Sequence, residues 1–188
     1  SAANLFEFGG ESWVRGLLDP KQVASAAYFG NTAHSEGDMV SFVTEDFTDK
    51  DVWKQADKEA VVFALVEEAG LLKGAESKKL VKRGRELIAD TDRCGSCHPY
   101  RENETELGYA PDLNGWASTE WVVGIITDPT HQRFYPDTND RMPRFGVASE
   151  GGLPALTREQ IELISRWLRG SWYRPKGNEQ GGRAADHP

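Results

Sequence analysis

Cys94-Gly95-Ser96-Cys97-His98 constrains this chain more than any other stretch. Two thiols two residues apart, followed at once by an imidazole, form the spacing by which a c-type haem is attached. In that chemistry the thiols add to the porphyrin vinyl groups, and the adjacent histidine is held under the iron as proximal ligand. Two other chemistries use a CxxC pair. Cys94 and Cys97 are the only cysteines in the chain, so no third or fourth thiol remains for a tetrahedral zinc site. A redox disulfide of the thioredoxin kind wants a preceding strand and alternating strands and helices, and the sequence pattern has neither. The motif therefore predicts one covalent haem, with Cys94, Cys97 and His98 as its attachment and proximal residues.

The rest of the composition narrows the partners. The chain has 188 residues, enough for one ordinary domain or two small ones. Its 38% hydrophobic and 28% charged residues fit a globular protein. Acidic residues outnumber basic ones, 30 against 22, for a net charge of -8. Nucleic acid is not expected as a partner, because a phosphate backbone needs a basic footprint. An acidic electron carrier would instead be steered toward redox partner proteins with a basic docking face, and salt would weaken that steering. No stretch approaches the ~20 apolar residues of a membrane span. The opening Ser1-Ala2-Ala3 carries neither an initiator methionine nor a signal sequence, and the expectation is a removed leader or a longer parent polypeptide.

A weak internal repeat is the second constraint. Asn4-Leu5 leads to Trp13-Val14-Arg15-Gly16-Leu17-Leu18-Asp19-Pro20, and Asp112-Leu113 leads at the same separation to Trp121-Val122-Val123-Gly124-Ile125-Ile126, then Asp128-Pro129. An aromatic pair follows in each copy, Tyr28-Phe29 and Phe134-Tyr135, and then a methionine three residues before a phenylalanine, Met39 with Phe42 and Met142 with Phe145. Each copy closes on a helical pattern. Thr157 with Gln160 forms a capping box ahead of Ile161, Ile164, Trp167 and Leu168, and Gly170 ends the run. In the first copy Asp57 is expected as the cap, Val61, Phe63, Ala64 and Leu65 supply the apolar surface, and Gly70 stops the helix. A further helix from Ser77, carrying Leu80, Val81, Gly84, Leu87 and Ile88, runs into the CxxCH segment. Only the second copy has that helix and motif ahead of it.

A low-spin electron-transfer haem needs a second axial ligand, and methionine sulfur raises the reduction potential relative to a second histidine. Met142 lies 44 residues beyond His98 and is followed by Pro143, which keeps the loop extended. Its polar, loop-forming neighbours are poor company for a core filler. Met142 is thus the expected iron ligand. His131 is expected as an ordinary loop histidine, and Met39 as a remnant of a copy without its own motif. Trp13 and Trp121 are expected in the core, as are Tyr109 and Trp116 beside Pro111. Arg141 is expected either beside a haem propionate or exposed. Glu102 to Glu106 read as a solvated loop.

Together the helix from Ser77, CGSCH, Ala110-Pro111-Asp112-Leu113, Arg141-Met142-Pro143 and the closing helix resemble a class I (mitochondrial-type) cytochrome c domain over residues 77–170. The resemblance implies an all-α cytochrome c fold around one haem. Residues 1–72 would then be a partial cytochrome c-like domain lacking CxxCH, 76–172 the haem-binding domain, and 173–188 a flexible polar tail. It also implies that Pro111 offers its carbonyl to the free ring nitrogen of His98, a positioning role that raises ligand basicity. In the family the first and last helices cross, with Gly84 here letting the first approach the Trp167 face.

The expected function is single-electron transfer by a bacterial respiratory cytochrome, with haem c as cofactor, His98 and Met142 on the iron, and no catalytic residue of the acid–base kind. Assembly is expected in the periplasm, or otherwise on the extracytoplasmic side of the membrane, and the protein could belong to a membrane-associated respiratory complex. The alternatives are a peroxidase-like haem enzyme with an open distal site, and a haem-bearing structural subunit of a cytochrome bc-type complex.

Overall fold

Helix α3 (Gln55–Glu68) buries Ala60, Val61, Val62, Ala64, Leu65 and Val66, so it is apolar on more than one side, as a helix packed between neighbours must be. The computed structural model describes residues 3–148 and 152–171 and contains no strand among them. The all-α expectation holds. Helix α3 packs against α1 (Glu11–Leu17) and α4 (Ala75–Ala89), while α5 (Thr119–Thr127) packs on α6 (Arg158–Leu168); α2 (Asp38–Thr44) leads into a 3-10 turn at Asp46–Thr48, and a second 3-10 turn lies at Cys94–Ser96. One hydrophobic cluster runs through both halves of the chain, from Phe8 and Val14 to Trp121 and Ile161. The expected tail over 173–188, and Trp172, lie outside the described residues.

The repeat is visible bond by bond. Trp13 Nε1 donates to the Asn4 carbonyl over 2.8 Å, and Trp121 Nε1 donates to the Asp112 carbonyl over 2.8 Å. The backbone N–H of Phe6 donates to Asn4 Oδ1, and that of Asn114 to Asp112 Oδ1. The aromatic partner follows suit, with Trp13 and Tyr28 rings 5.2 Å apart and Trp121 and Phe134 rings 5.1 Å apart, both edge-on. Gly16 and Gly124 sit where a side chain would strike Tyr28 and Phe134 respectively. Both copies also take left-handed backbone at matching places, Glu7 (φ 57°) with Gly115 (φ 62°) and Gly9 (φ 80°) with Ala117 (φ 56°).

The two copies face each other. Phe8 lies 5.1 Å from its counterpart Trp116, and the cross pairs are reciprocal: Phe8 to Trp121 at 6.1 Å and Trp13 to Trp116 at 5.9 Å. Helix α1 packs on α3 as α5 packs on α6. The copies are thus related by an approximate two-fold rotation, with the aromatic cluster on its axis.

Local expectations fare unevenly. Thr157 and Gln160 make the full capping box. Helix α3 begins at Gln55 with Lys54 as its cap, so Asp57 is not the cap but a first-turn acid, where the helix dipole favours it, and it binds Arg83. Met39 falls inside α2, whereas Met142 lies in a loop outside any helix. The difference has a local cause, since Pro143 follows Met142 and disfavours helical backbone there, while Val40 follows Met39.

The partner of α4 is also not the expected one. Gly84 meets Ala60 and Ala64 of α3, where any Cβ would run into the Ala60 carbonyl and the Ala64 methyl. Trp167 of α6 is 53% exposed. The closing helix of the first copy, not that of the second, crosses the helix that leads into CxxCH. Arg83–Asp57 and Arg85–Glu68 ion pairs flank that crossing.

Candidate functional site

The end of α4 delivers the motif. Asp90 accepts at its carbonyl from Arg93 and Gly95 N–H, and the carbonyl of Cys94 accepts from Cys97 and His98 N–H, winding Cys94–Ser96 into a 3-10 turn. Gly95 is required there, because a Cβ would collide with the Ala89 and Asp90 carbonyls. The turn is anchored from outside by Arg93, whose guanidinium donates to the Val52 carbonyl and lies 4.5 Å over the Trp53 ring. The Thr105 hydroxyl donates to the Gly95 carbonyl, and Asn103 bridges Tyr100 N–H and the His98 carbonyl.

His98 is the fixed point of the site. Its Nδ1 lies 2.8 Å from the Pro111 carbonyl, and Pro111 is itself buried. The segment after it is held on both sides, by Asp112 N–H to the Arg133 carbonyl and Leu113 N–H to the Pro99 carbonyl. Burial lowers the ionisation of His98, partly offset by the Pro111 contact, so the ring is neutral with Nδ1–H donating. That leaves Nε2 with its lone pair, the state in which imidazole binds a metal. A carbonyl behind the ring also fixes its orientation and raises its basicity.

Both cysteines are free and half-buried. Burial pushes the Cys94 thiol up to about 12. A redox-active CxxC needs the opposite, a thiol held low so that thiolate is present near neutrality. Among the described residues no group of three or more His, Cys, Asp or Glu side chains gathers that could hold a metal ion. Two free thiols beside a neutral imidazole oriented from behind fit the donor set of a covalent haem. Cys94, Cys97 and His98 would hold that group, with Pro111 orienting His98.

The structure brings Cys94, Cys97, His98 and Pro111 together. Met142 packs half-buried against the same core cluster as Cys94, and its carbonyl accepts from Asn139 Nδ2. The loop is tied to the first copy, by Ala33 N–H to Asp140 and Arg141 to the Asn31 carbonyl. Arg141 is exposed and pairs with Asp140. Tyr135 lies beside His34 at 5.7 Å between ring centres, and burial raises its phenol to about 12. His131 is an exposed loop residue whose Nδ1 accepts from Arg133 N–H. Trp116 is core, as expected, but Tyr109 is not. It is 61% exposed, in the turn through Gly108, and its hydroxyl donates to Asp38.

Glu68 was not singled out by the sequence, yet it organises the ground beneath the motif. Its carboxylate is 11% exposed and accepts from Tyr100 Oη at 2.7 Å, Arg101 at 3.1 Å, Gly115 N–H at 3.0 Å and Arg85 at 3.3 Å. Burial works to raise it, but these donors outweigh burial and hold it below the usual glutamate range. The same environment raises Tyr100 to about 12. A single acidic residue at the end of a helix gives no sign in sequence of four donors converging from far along the chain.

Comparison with known proteins finds no matching family model, no matching curated protein and no matching solved structure. Among the described residues no helix is long and apolar enough to cross a membrane.

Proposed function

We propose that this protein is a c-type cytochrome that carries single electrons through one haem, attached at Cys94 and Cys97 and ligated by His98 and Met142. The observation that carries the reading is the 2.8 Å contact from His98 Nδ1 to the Pro111 carbonyl. A histidine held from behind in its neutral tautomer, directly after two free thiols, is prepared as an axial ligand and not as a general base. Bound there, iron porphyrin would supply a ferric–ferrous couple exchanging one electron at a time. The protein's own residues tether, orient and shield. Cys94 and Cys97 fix the group to the turn, Pro111 sets the ring of His98, and Tyr100, Trp116 and Leu113 exclude water below the motif.

The helix leading into CxxCH, the Pro111 segment and the non-helical Met142 loop favour a cytochrome c fold within this all-α architecture. The first copy would be its partial, haem-free relative. A net charge of -8 favours a redox partner with a basic face and salt-sensitive docking. Covalent attachment through reduced thiols favours assembly outside the cytoplasm, in the periplasm, within a respiratory chain.

Two measurements test this. Acid–acetone treatment should leave the pigment on the polypeptide, and oxidised protein should show the weak sulfur-to-ferric-iron band at the red end of the spectrum. That band should vanish in Met142→Ala and persist in Met39→Ala. Pigment stripped by acid–acetone, or a colourless preparation, overturns the reading. A missing band with ready carbon monoxide binding transfers it to a haem enzyme with an open distal position.

A further inference from the structure

One short segment of the first copy, residues 31–38, reaches both loops that flank the candidate site. On the Met142 side, Ala33 N–H donates to Asp140 Oδ2 over 3.2 Å, and Arg141 Nη2 donates to the Asn31 carbonyl over 3.1 Å. Arg141 also pairs with Asp140 at 2.9 Å, so these contacts form one joint. The His34 ring lies 5.7 Å from that of Tyr135, near the start of the same loop. On the opposite side, the Tyr109 hydroxyl donates to Asp38. Tyr109 stands just before Ala110-Pro111, and the Pro111 carbonyl faces His98.

The segment is built as a strut. The N–H and hydroxyl of Thr32 both donate to the Phe29 carbonyl, His34 N–H donates to Thr32 Oγ1, and Gly37 N–H donates to the His34 carbonyl. Gly37 in turn opens α2, its carbonyl accepting from Val40 and Ser41 N–H. Met142 is therefore suspended between anchors in different copies. After it, Arg144 binds Asp128 through two bonds at 3.1 and 3.0 Å, and Phe145 N–H donates to the Ile126 carbonyl. Those anchors belong to the second copy. Before it, Asp140 and Arg141 are fastened to the first.

We propose that residues 31–38 of the first copy clamp the two ligand loops and so hold Met142 at the sixth position of the iron. The proposal rests on the electron-carrier reading and assigns the first copy a task within it. Asp140 and Tyr109 are positioning residues, each acting on the iron only through the loop it fastens. The physical reason is the cost of order. A neutral thioether on a free loop must pay the loop's conformational entropy each time it binds. A loop already held in place spends more of its time competent to bind, and its apparent affinity rises by that fraction. The clamp thus keeps the sixth position closed to small molecules.

The test uses the haem-loaded 188-residue protein. The sulfur-to-ferric-iron band and the rate of carbon monoxide binding to ferrous protein are measured in the parent and three variants. Asp140→Ala removes the acceptor of Ala33 N–H and the partner of Arg141. Tyr109→Phe removes only the hydroxyl given to Asp38. The band should weaken in both, and carbon monoxide should bind about tenfold faster in Asp140→Ala and about threefold faster in Tyr109→Phe. Arg83→Ala is the control. It breaks the Arg83–Asp57 pair, which also joins the copies but sits on the α3–α4 crossing, and it should match the parent. Hydrogen exchange at the Arg141 and Met142 amides should speed up in Asp140→Ala, with or without haem.

A parent-like band and rate in Asp140→Ala or in Tyr109→Phe, or unchanged exchange at the loop, would overturn the clamp and leave the electron-carrier reading intact. An equal change in Arg83→Ala would overturn it as well, since any loosening between the copies would then suffice. Should Asp140→Ala fail to fold, Tyr109→Phe decides alone, because it removes a single oxygen from an exposed side chain. A parent that itself lacks the band defeats the electron-carrier reading, and the clamp with it.

Discussion

His98 Nδ1 lies 2.8 Å from the carbonyl of Pro111, a residue 13 positions further along the chain. The bond closes the loop from Pro99 to Ala110 onto the motif. Everything the site offers to a metal depends on it, because it decides which imidazole nitrogen keeps a lone pair.

Replacing Pro111 with alanine keeps the carbonyl but frees its backbone, since the pyrrolidine ring no longer fixes φ. The bond to His98 should loosen and the imidazole become a weaker donor. In the proposed cytochrome this lowers the stability of the ferric state, so the reduction potential should rise in Pro111→Ala. Redox titration against the parent protein measures it, and an unchanged or lower potential would count against the positioning role.

The two indole bonds of the repeat should differ in worth. Trp121 is buried and donates to the Asp112 carbonyl, whose residue is 7% exposed. Trp121→Phe strands that acceptor, and the expected cost is about 1–3 kcal/mol. Trp13 donates to Asn4, which is exposed and can bond water instead, so Trp13→Phe should cost about 0.5–1 kcal/mol from the bond itself. Urea unfolding of both variants gives the comparison, and equal losses would contradict it.

Gly84→Ala pits two effects against each other. Alanine is a better helix former than glycine by about 1 kcal/mol. Against this, its methyl would press into the Ala60 carbonyl and the Ala64 methyl, and overpacking of this kind costs about 1–3 kcal/mol. Because both neighbours belong to a buried helix they give little, and a net loss of stability is expected in thermal melts. A gain would mean that α3 and α4 are not in close contact.

Glu68 should make the protein sensitive to acid. Its folded carboxyl is held below the ordinary value of 4.5 by its donors, so the unfolded chain takes up the proton first. The stabilisation is therefore complete above that value and is lost as pH falls through the lower folded one. Glu68→Gln should remove this part of the pH dependence and cost about 1.5–3 kcal/mol at neutral pH. Urea unfolding at a series of pH values would show it as a flatter acid limb, and an unaltered limb would sink the assignment.

The aromatic and glycine positions of the repeat, the Thr157 capping box and the non-helical Met142 loop were all legible in sequence. Each depends on residues close along the chain, such as Pro143 beside Met142 or Gln160 three residues from Thr157. The start of α3 was misread because Asp57 is a good cap by composition, while Lys54 takes the position by backbone geometry alone. Tyr109 looked like a core aromatic beside Pro111, and nothing local shows that its loop lies outside the cluster.

The amino-acid sequence alone determined the helical class, the two-copy pattern and the CxxCH turn, because short-range spacing and steric preference act before any tertiary contact forms. Only the folded arrangement decided that α4 crosses α3 and not α6, whose Leu163 and Trp167 stay exposed. Two closing helices compete for the same partner, and the choice falls to the one whose Ala60 and Ala64 admit Gly84 at close range. The convergence of Tyr100, Arg101 and Gly115 on Glu68 is likewise a product of that choice. Residues so far apart in the chain meet only after the two copies have packed.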